Sequence, residues 1–208
     1  MHIKTLEVAG FFSALKAMRN PMDSWAKSDS RRGSVGKKDR ELSMKLANAG
    51  TEHAKHLRMV QVWADITAPR YWWTEFDTYR VGVEKVSCST MHTLMKRKMT
   101  EDDFEHDSYP MIELTETIDG INSQMDLYRQ YENDPETRKV VWRGIIQMLP
   151  QSFLQTRTVM MSYAALRNIY RQREGHKLNE WHQFRDWVET LPESWMITDK
   201  LPKEDDDD

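Results

Sequence analysis

The chain has 208 residues, of which 39% are hydrophobic and 30% are charged, and its formal net charge is -3. This length suits one domain with a single buried core. No stretch approaches the roughly 18 uninterrupted apolar residues that span a bilayer, and the first residues alternate polar with apolar instead of resembling a signal peptide. The composition therefore excludes a membrane-spanning protein and predicts a cytoplasmic one.

Charge is distributed unevenly along the sequence. Residues 1–100 contain 18 Lys and Arg against 10 Asp and Glu, whereas residues 101–208 contain 12 against 23. The acidic run 204–208 repels itself and lacks apolar anchors, so it is predicted to be a disordered tail behind a single domain that covers 1–203. A sequence pI near 6.2 is low for a dedicated nucleic-acid binder. The basic first half instead favours a small anionic ligand.

Most of the predicted elements are helices. Alternation of polar and apolar residues predicts strands at 3–8 and 57–67. Apolar residues at helical spacing predict helices at 11–18, 39–49, 71–79, 112–133, 136–148, 153–173 and 178–190. Residues 20–38 are rich in Pro, Gly and Ser and are expected to form a mobile loop. The balance predicts an α+β fold with a helix-rich C-terminal half.

Three further features do not indicate a functional site. The single cysteine, Cys88, cannot form an internal disulfide and is predicted to be a small buried residue. His176 and His182 stand among acidic residues near the C-terminus, but six residues of separation place them on nearly opposite faces of a helix. We therefore predict no metal site. The aromatic residues within 71–79 have helical spacing and favour core packing.

A first group of residues resembles the central segment of the flavin-dependent thymidylate synthases (ThyX). In that family a His-containing turn leads to a strand ending in Ala-Pro, then to a helix ending in Arg-His-Arg, and then to a loop that carries serines. The corresponding residues here are His53, Ala68-Pro69, Thr78-Tyr79-Arg80 and Ser87-Cys88-Ser89-Thr90. Only Arg80 keeps its identity from Arg-His-Arg, and the family's Asn-Glu pair and final Arg are replaced. The resemblance is thus to a divergent member.

A second group lies near the C-terminus. Leu149-Pro150 precedes a segment in which Arg173 follows Asn168 by five residues, as an arginine follows an asparagine in the last helices of the family. The resemblance implies a ThyX-like fold, a small antiparallel sheet packed with several long helices. It also implies a homotetramer in which FAD, NADPH and methylenetetrahydrofolate serve to convert dUMP, or a related pyrimidine nucleotide, to its methylated product.

The same resemblance implies roles for individual residues. Arg173 is expected to be catalytic, as the group that polarises the pyrimidine. Substrate binding is expected from Glu75, Arg80, Ser87, Ser89, Arg143 and Arg173. Cofactor binding is expected from His53, Lys55, Arg58, Arg80, Asn168 and His176, and Ser28 and Ser30 are weaker candidates for the flavin phosphates. Arginine suits such roles because its planar, permanently charged fork binds phosphate or a uracil edge through two hydrogen bonds.

Three alternatives stay open at this point. The arginines could decorate solvated helix faces, and Arg80 could be a cation that complements the end of a helix dipole. The incomplete signature is compatible with a ThyX scaffold that binds flavin and nucleotide but has a changed substrate or has lost activity. Finally, the basic clusters 31–32, 37–38 and 96–98, with neighbouring tryptophans, could bind nucleic acid, although none exceeds an ordinary solvated surface.

Overall fold

The computed structural model describes residues 1–107 and 111–201, and the predicted acidic tail 204–208 lies outside these residues. The described strands are β1 (His2–Ala9), β2 (Gln61–Pro69), β3 (Val83–Ser87) and β4 (Leu154–Ser162). The described α-helices are α1 (Phe11–Ala17), α2 (Lys37–Asn48), α3 (Arg70–Phe76), α4 (Thr90–Thr93), α5 (Met111–Gln130), α6 (Pro135–Met148), α7 (Tyr163–Gln172), α8 (Asn179–Glu189) and α9 (Trp195–Thr198). The predicted α+β fold is confirmed.

The four strands form one antiparallel sheet in the order β1-β2-β4-β3. Residues of β2 alternate between buried and half-buried along the strand, which is the pattern of a strand with one face on a core. Side chains of β2 and β4 meet across the strand pair: the Thr158 hydroxyl donates to Asp65 at 2.6 Å, and the hydroxyls of Thr67 and Thr156 lie 2.7 Å apart. These pairs define the register of the two central strands.

One helix prediction is wrong over half of its length. Residues 153–173 were expected to be helical, but the structure contains β4 followed directly by α7. The β-branched residues Thr156, Thr158 and Val159 favour a strand, and Val159 is fully buried beside an exposed Thr158. Ser162 ends the strand and caps α7, because its side chain accepts a hydrogen bond from the Ala165 amide at 3.2 Å.

Several boundaries also differ from the predictions. Residues 54–58, expected to be partly extended, form a 3-10 turn before β2. Helix α3 ends at Phe76, four residues before Arg80, and the short strand β3 was not predicted. Cys88 is exposed instead of buried, because it follows the last residue of β3, an edge strand of the sheet. The segment 20–38 contains two 3-10 turns before α2 begins at Lys37.

The chain divides into two compact units. We call unit 1 the residues 1–2, 67–78 and 86–157, and unit 2 the residues 3–66, 79–85 and 158 onward. In unit 1 a hydrophobic cluster lies between α5 and α6, with Ile121, Met125 and Ile145 fully buried. Residues of α2, the 54–58 turn, α7 and α9 contact one another in unit 2. Within the described ranges, no helix is long and apolar enough to cross a membrane.

Gly10 connects β1 to α1 in unit 2. Its φ of 102° lies in the left-handed region, which residues with a Cβ rarely adopt. A Cβ at this position would also lie 2.2 Å from the Met59 carbonyl oxygen. The sequence therefore needs a glycine where β1 turns into the first helix.

Candidate active site

Unit 2 contains a cavity of about 250 Å³ between the end of α2, the 54–58 turn and α7. Small residues of α2 and α7 make room for this cavity, and polar side chains border it. The lining residues are Ala47, Asn48, Gly50, Thr51, Ala54, Leu57, Arg58, Ala164, Arg167, Asn168 and Arg171. This mixture of apolar wall and a few placed donors is typical of a small-molecule site.

Arg167 and Arg171, which are one turn apart on α7, line one wall of the cavity. Arg167 and Arg171 both donate to the Asn48 side-chain oxygen, at 2.9 and 3.1 Å, and both pair with Asp199, at 2.8 and 2.7 Å. Burial alone would raise the pKa of the Asp199 carboxyl, but hydrogen bonds and charge from Arg167 and Arg171 outweigh it and lower that pKa. The pairs therefore connect α7 to the ends of α2 and α9.

A neutral histidine lies next to the cavity in the 54–58 turn. His56 is only 2% exposed, and its Nε2 lies 2.8 Å from the Ser43 hydroxyl of α2. Burial is the main cause that lowers the pKa of His56 to about 4; the charge of Arg167 acts in the same direction, and a hydrogen bond with the His53 backbone opposes both. At neutral pH the ring is therefore uncharged and serves as a hydrogen-bonding link between α2 and the turn.

The predicted catalytic arginine lies in an aromatic setting of unit 2. The guanidinium carbon of Arg173 lies 4.2 Å from the centre of the Trp181 ring and 5.3 Å from that of Tyr79. Its Nε donates to the Tyr79 hydroxyl at 2.8 Å. Tyr79 occupies the position of the histidine in the family's Arg-His-Arg. The fold thus brings together two residues from the two separate groups that carry the resemblance.

The residues expected to bind cofactor all lie in unit 2, in different surroundings. Arg58 and Asn168 line the cavity, whereas His53 and Lys55 are exposed on the same turn and Arg80 is exposed on its own segment. The side chain of His176 accepts a hydrogen bond from the Leu178 amide at 3.1 Å.

The loop serines and the histidines near the C-terminus are engaged in hydrogen bonds within unit 2, and Ser28 and Ser30 also line a cavity of about 230 Å³ there. The Ser28 hydroxyl and the Ser30 amide both donate to Asp39, so these serines hold the 20–38 segment on α2. The His182 ring lies 2.7 Å from the His176 carbonyl oxygen. Among residues 1–107 and 111–201 there is no group of three or more His, Cys, Asp or Glu that could hold a metal ion.

A second cavity, of about 350 Å³, lies within unit 1. It is bordered by α3, α4, the end of α6 and the start of β4. The lining residues are Arg70, Trp73, Thr74, Asp77, Thr90, Met91, Ile146, Leu149, Gln151, Gln155 and Arg157. Its polar groups are more numerous than those of the cavity in unit 2, and two of them are arginines.

Four of the residues expected to bind substrate belong to segments that border this second cavity, but they are not among its lining residues. Glu75 lies on α3, Ser87 ends β3, Ser89 precedes α4, and the exposed Arg143 lies on α6. Their close neighbours in the chain do line it: Thr74 and Asp77 beside Glu75, Thr90 beside Ser89, and Ile146 after Arg143. These residues are thus next in sequence to lining residues of the cavity, and their role in substrate binding stays a prediction.

Sequence reasoning did not select three polar residues that line the cavity of unit 1. Arg157 lies on β4, Gln155 lies two residues before it, and Arg70 begins α3. Because residues 153–173 were interpreted as a helix, Gln155 and Arg157 were not recognised as neighbours on one face of a strand. The alternation of β-branched residues around them was the signal that could have revealed the strand.

No protein-family model matches the sequence, and the search of curated proteins gave no match. The structure, however, is similar to the crystal structure of the flavin-dependent thymidylate synthase ThyX from Helicobacter pylori complexed with FAD and dUMP. The TM-score is 0.75 at 18% identity, covering 97% of this chain and 100% of that chain. A second Helicobacter pylori ThyX structure, also with FAD and dUMP, gives 0.74 at 17% identity, covering 96% and 98%. The chain therefore has the ThyX fold, as the resemblance implied.

Proposed function

We propose that this protein is a flavin-dependent enzyme of the thymidylate synthase type, which binds FAD and a pyrimidine nucleotide such as dUMP. One observation carries the proposal. Arg58 and Asn168, chosen from sequence as cofactor-binding residues, lie on the wall of one cavity in a fold whose matched structures hold FAD and dUMP. Two residues that are distant in the chain, and that were selected without reference to the cavity, border the same space.

The donor set of this cavity fits part of a flavin. Arg58 supplies a permanent positive charge, Asn168 supplies an amide that can both donate and accept, and apolar side chains such as Leu57 cover the rest of the wall. A volume of about 250 Å³ holds a flat ring system or a diphosphate, but not a whole dinucleotide. The remainder of FAD would extend out of the cavity along the exposed His53 and Lys55.

Arg173 is the residue to which we assign the chemical role. When bound, FAD supplies the hydride chemistry that this reaction needs. A guanidinium held by Tyr79 and Trp181 is preorganised, so it can donate to a pyrimidine carbonyl oxygen as negative charge develops there. Catalysis by this chain would then consist mainly of orienting the nucleotide and stabilising charge, with no protein nucleophile.

The remaining parts of the proposal follow the family resemblance. NADPH would be the reductant, methylenetetrahydrofolate the one-carbon donor, and a homotetramer the assembly, in the cytoplasm. A second candidate function keeps the flavin and nucleotide sites but changes the substrate. It is favoured by the replacement of the family's Arg-His by Thr78-Tyr79, because Tyr79 donates or accepts through a hydroxyl where the family has an imidazole.

Titration of the purified full chain with FAD tests the flavin site. We expect the flavin absorption band to shift on binding and the flavin fluorescence to change. Arg58→Gln should weaken FAD binding about tenfold or more, because a hydrogen bond to a charged group contributes roughly 1.5–3 kcal/mol. Lys45→Gln, which removes an exposed charge from α2 of the same unit, is the matched control and should bind as the wild type does. A wild-type protein that takes up no FAD contradicts the proposal.

Activity separates the two candidate functions. For a thymidylate synthase, NADPH oxidation by the FAD-loaded protein should depend on dUMP, and dTMP should form when methylenetetrahydrofolate is present. Flavin reduction that is insensitive to dUMP, in a protein that nevertheless binds FAD, would favour the changed substrate. The measurement should be repeated with other pyrimidine monophosphates to identify it.

A further inference from the structure

The cavity of about 230 Å³ in unit 2 lies between α1 and the 20–38 segment. Phe12, Leu15 and Trp25 form its apolar wall, and its polar wall includes Lys16 and Arg19. Of the residues that the structure describes, none lines both this cavity and the one assigned to flavin, and none of its lining side chains is acidic. The cavity is therefore a separate space in which apolar and cationic side chains meet.

Two aromatic side chains of this cavity are partly open to solvent. Phe12 is 46% exposed and Trp25 is 48% exposed, whereas tryptophan is on average highly buried in folded proteins. The Trp25 indole donates to the Asn20 side-chain oxygen at 2.8 Å, which fixes the orientation of the ring. Aromatic faces of this kind, beside a cavity, can pack against a flat ring of a ligand.

A buried ion pair lies at the polar wall of the cavity. Arg19 is 5% exposed, and its Nε donates at 2.6 Å to Asp39, which is fully buried. The Ser28 hydroxyl and the Ser30 amide donate to the other oxygen of the same carboxylate, at 2.5 and 3.2 Å. Burial alone would raise the pKa of Asp39, but the hydrogen bonds from the two serines and from Arg19 outweigh it and lower that pKa. The carboxylate is therefore ionised at neutral pH and holds Arg19 in position.

The cavity keeps one unbalanced positive charge. Within the described part of the chain, neither Nη1 of Arg19 nor the Lys16 ammonium has a hydrogen-bonding or ion-pair partner. Asp39 balances Arg19, whereas Lys16 is exposed and unpaired. One net positive charge beside two aromatic faces is complementary to a ligand that combines a flat ring with one negative group.

We propose that this cavity binds a small planar aromatic anion, such as a carboxylate with a single ring. The ring would pack against Phe12 and Trp25, and the carboxylate would accept hydrogen bonds from Lys16 and from Nη1 of Arg19. A volume of about 230 Å³ suits one ring with its substituent, but not a dinucleotide. The site goes beyond the proposed function, because it requires neither FAD nor the nucleotide substrate.

Fluorine NMR of para-fluorobenzoate, titrated into the full chain, tests the site. The neutral para-fluorobenzamide keeps the ring without the charge, and acetate, added as a competitor, keeps the charge without the ring. Trp25→Ala removes the ring of the site, and Lys16→Gln removes its unbalanced charge. The matched controls are Met22→Ala, at an 82% exposed apolar position of the same segment, and Lys27→Gln, which removes an exposed cation next to the site. Thermal unfolding shows whether each variant is folded.

The expected pattern requires both the ring and the charge. Trp25→Ala and Lys16→Gln should each weaken para-fluorobenzoate binding at least about fivefold, because each removes one of the two interactions that hold the ligand. The amide should bind at least about tenfold more weakly than the acid, acetate should compete poorly, and both control variants should bind as the wild type does. Equal binding of acid and amide would overturn the proposal, as would wild-type affinity in folded Trp25→Ala and Lys16→Gln or no binding by the wild type.

FAD separates this site from the flavin site. Because the two cavities share no described lining residue, para-fluorobenzoate should bind the FAD-saturated chain as tightly as the free chain. Displacement of the probe by FAD would assign this cavity to flavin and overturn the proposal. A wild type that binds the probe with the expected pattern but takes up no FAD would contradict only the proposed function.

Discussion

Each unit of the molecule has an arginine that lies close over the face of a buried tryptophan. In unit 2 Arg173 lies over Trp181, and in unit 1 Arg157 lies over Trp73, both at 4.2 Å from the ring centre. The two indoles are 0% and 1% exposed. An identical stacking distance on two equally buried rings shows that the stack itself does not distinguish the two arginines.

The two arginines differ in their hydrogen-bonding partners. Nε of Arg173 donates to a phenol, the Tyr79 hydroxyl, whereas Arg157 is held by the Asp77 carboxylate and the Gln155 amide. The Asp77 carboxylate compensates the charge of Arg157, and the Tyr79 hydroxyl orients Nε of Arg173. The two guanidinium groups therefore share a stacking distance but differ in the hydrogen bonds that orient them.

The largest expected effects on stability come from removing the two tryptophans. Trp181→Ala and Trp73→Ala should each lower the free energy of unfolding by about 3–5 kcal/mol, the usual cost of truncating a fully buried large aromatic residue. Trp25→Ala, at a position that is 48% exposed, is the control and should cost under about 1 kcal/mol. Chemical denaturation measures all three. A cost near that of the control for Trp73 or Trp181 would refute the equal burial on which the comparison depends.

The loss of stability at acid pH, which we assign to unit 2, is expected to be intermediate in size. The pKa of His56 is lowered by burial to about 4 from its ordinary 6.5, so the unfolded chain binds a proton at a pH where the folded chain does not. Stability is therefore complete above pH 6.5 and is lost as the pH falls toward 4, by up to about 3 kcal/mol. Unfolding free energies measured between pH 7 and 4 should show this loss.

Two variants identify the group responsible for that acid loss. His56→Gln should flatten the pH dependence in this window, whereas His92→Gln, which removes an exposed histidine from unit 1, should leave it unchanged. An unaltered slope in His56→Gln would assign the acid sensitivity to other groups.

The smallest expected effect comes from the ion pair of unit 1. The Asp77 side chain is 42% exposed, and ion pairs with this much solvent contact stabilise proteins by only about 0.2–1 kcal/mol. Asp77→Asn should therefore reduce the free energy of unfolding by less than about 1 kcal/mol. Thermal unfolding at low and high salt checks this, because a much larger loss at low salt would mean that Asp77 maintains the position of Arg157 and the fold of the cavity.

Sequence patterns predicted much of the fold for identifiable reasons. Helix α6 was expected at 136–148 and observed at Pro135–Met148, because Asp134 caps it, Pro135 begins it and Pro150 follows it. Helix α8 was expected at 178–190 and observed at Asn179–Glu189, and its apolar residues Trp181 and Phe184 are buried. Such elements are specified by local signals that need no tertiary context.

The errors arose where tertiary context decided the structure. Strand β4 combines Met, Leu and Gln with β-branched residues, and its apolar spacing was compatible with a helix until pairing with β2 and β3 selected the extended form. The same error limited the prediction of the site residues, because Gln155 and Arg157 lie on that strand. The pairing of Tyr79 with Arg173 joins residues 94 positions apart, and no sequence pattern predicted that contact.

The role of Arg173 in the proposed reaction is tested most directly by dUMP-dependent turnover in Arg173→Ala, with Arg32→Ala as an exposed control from the same unit. We predict that FAD-loaded Arg173→Ala stays folded and binds flavin but loses dUMP-dependent NADPH oxidation by at least about a hundredfold, as expected when a preorganised charge-stabilising donor is removed. The control should retain wild-type turnover. Wild-type turnover and nucleotide affinity in Arg173→Ala would contradict the account.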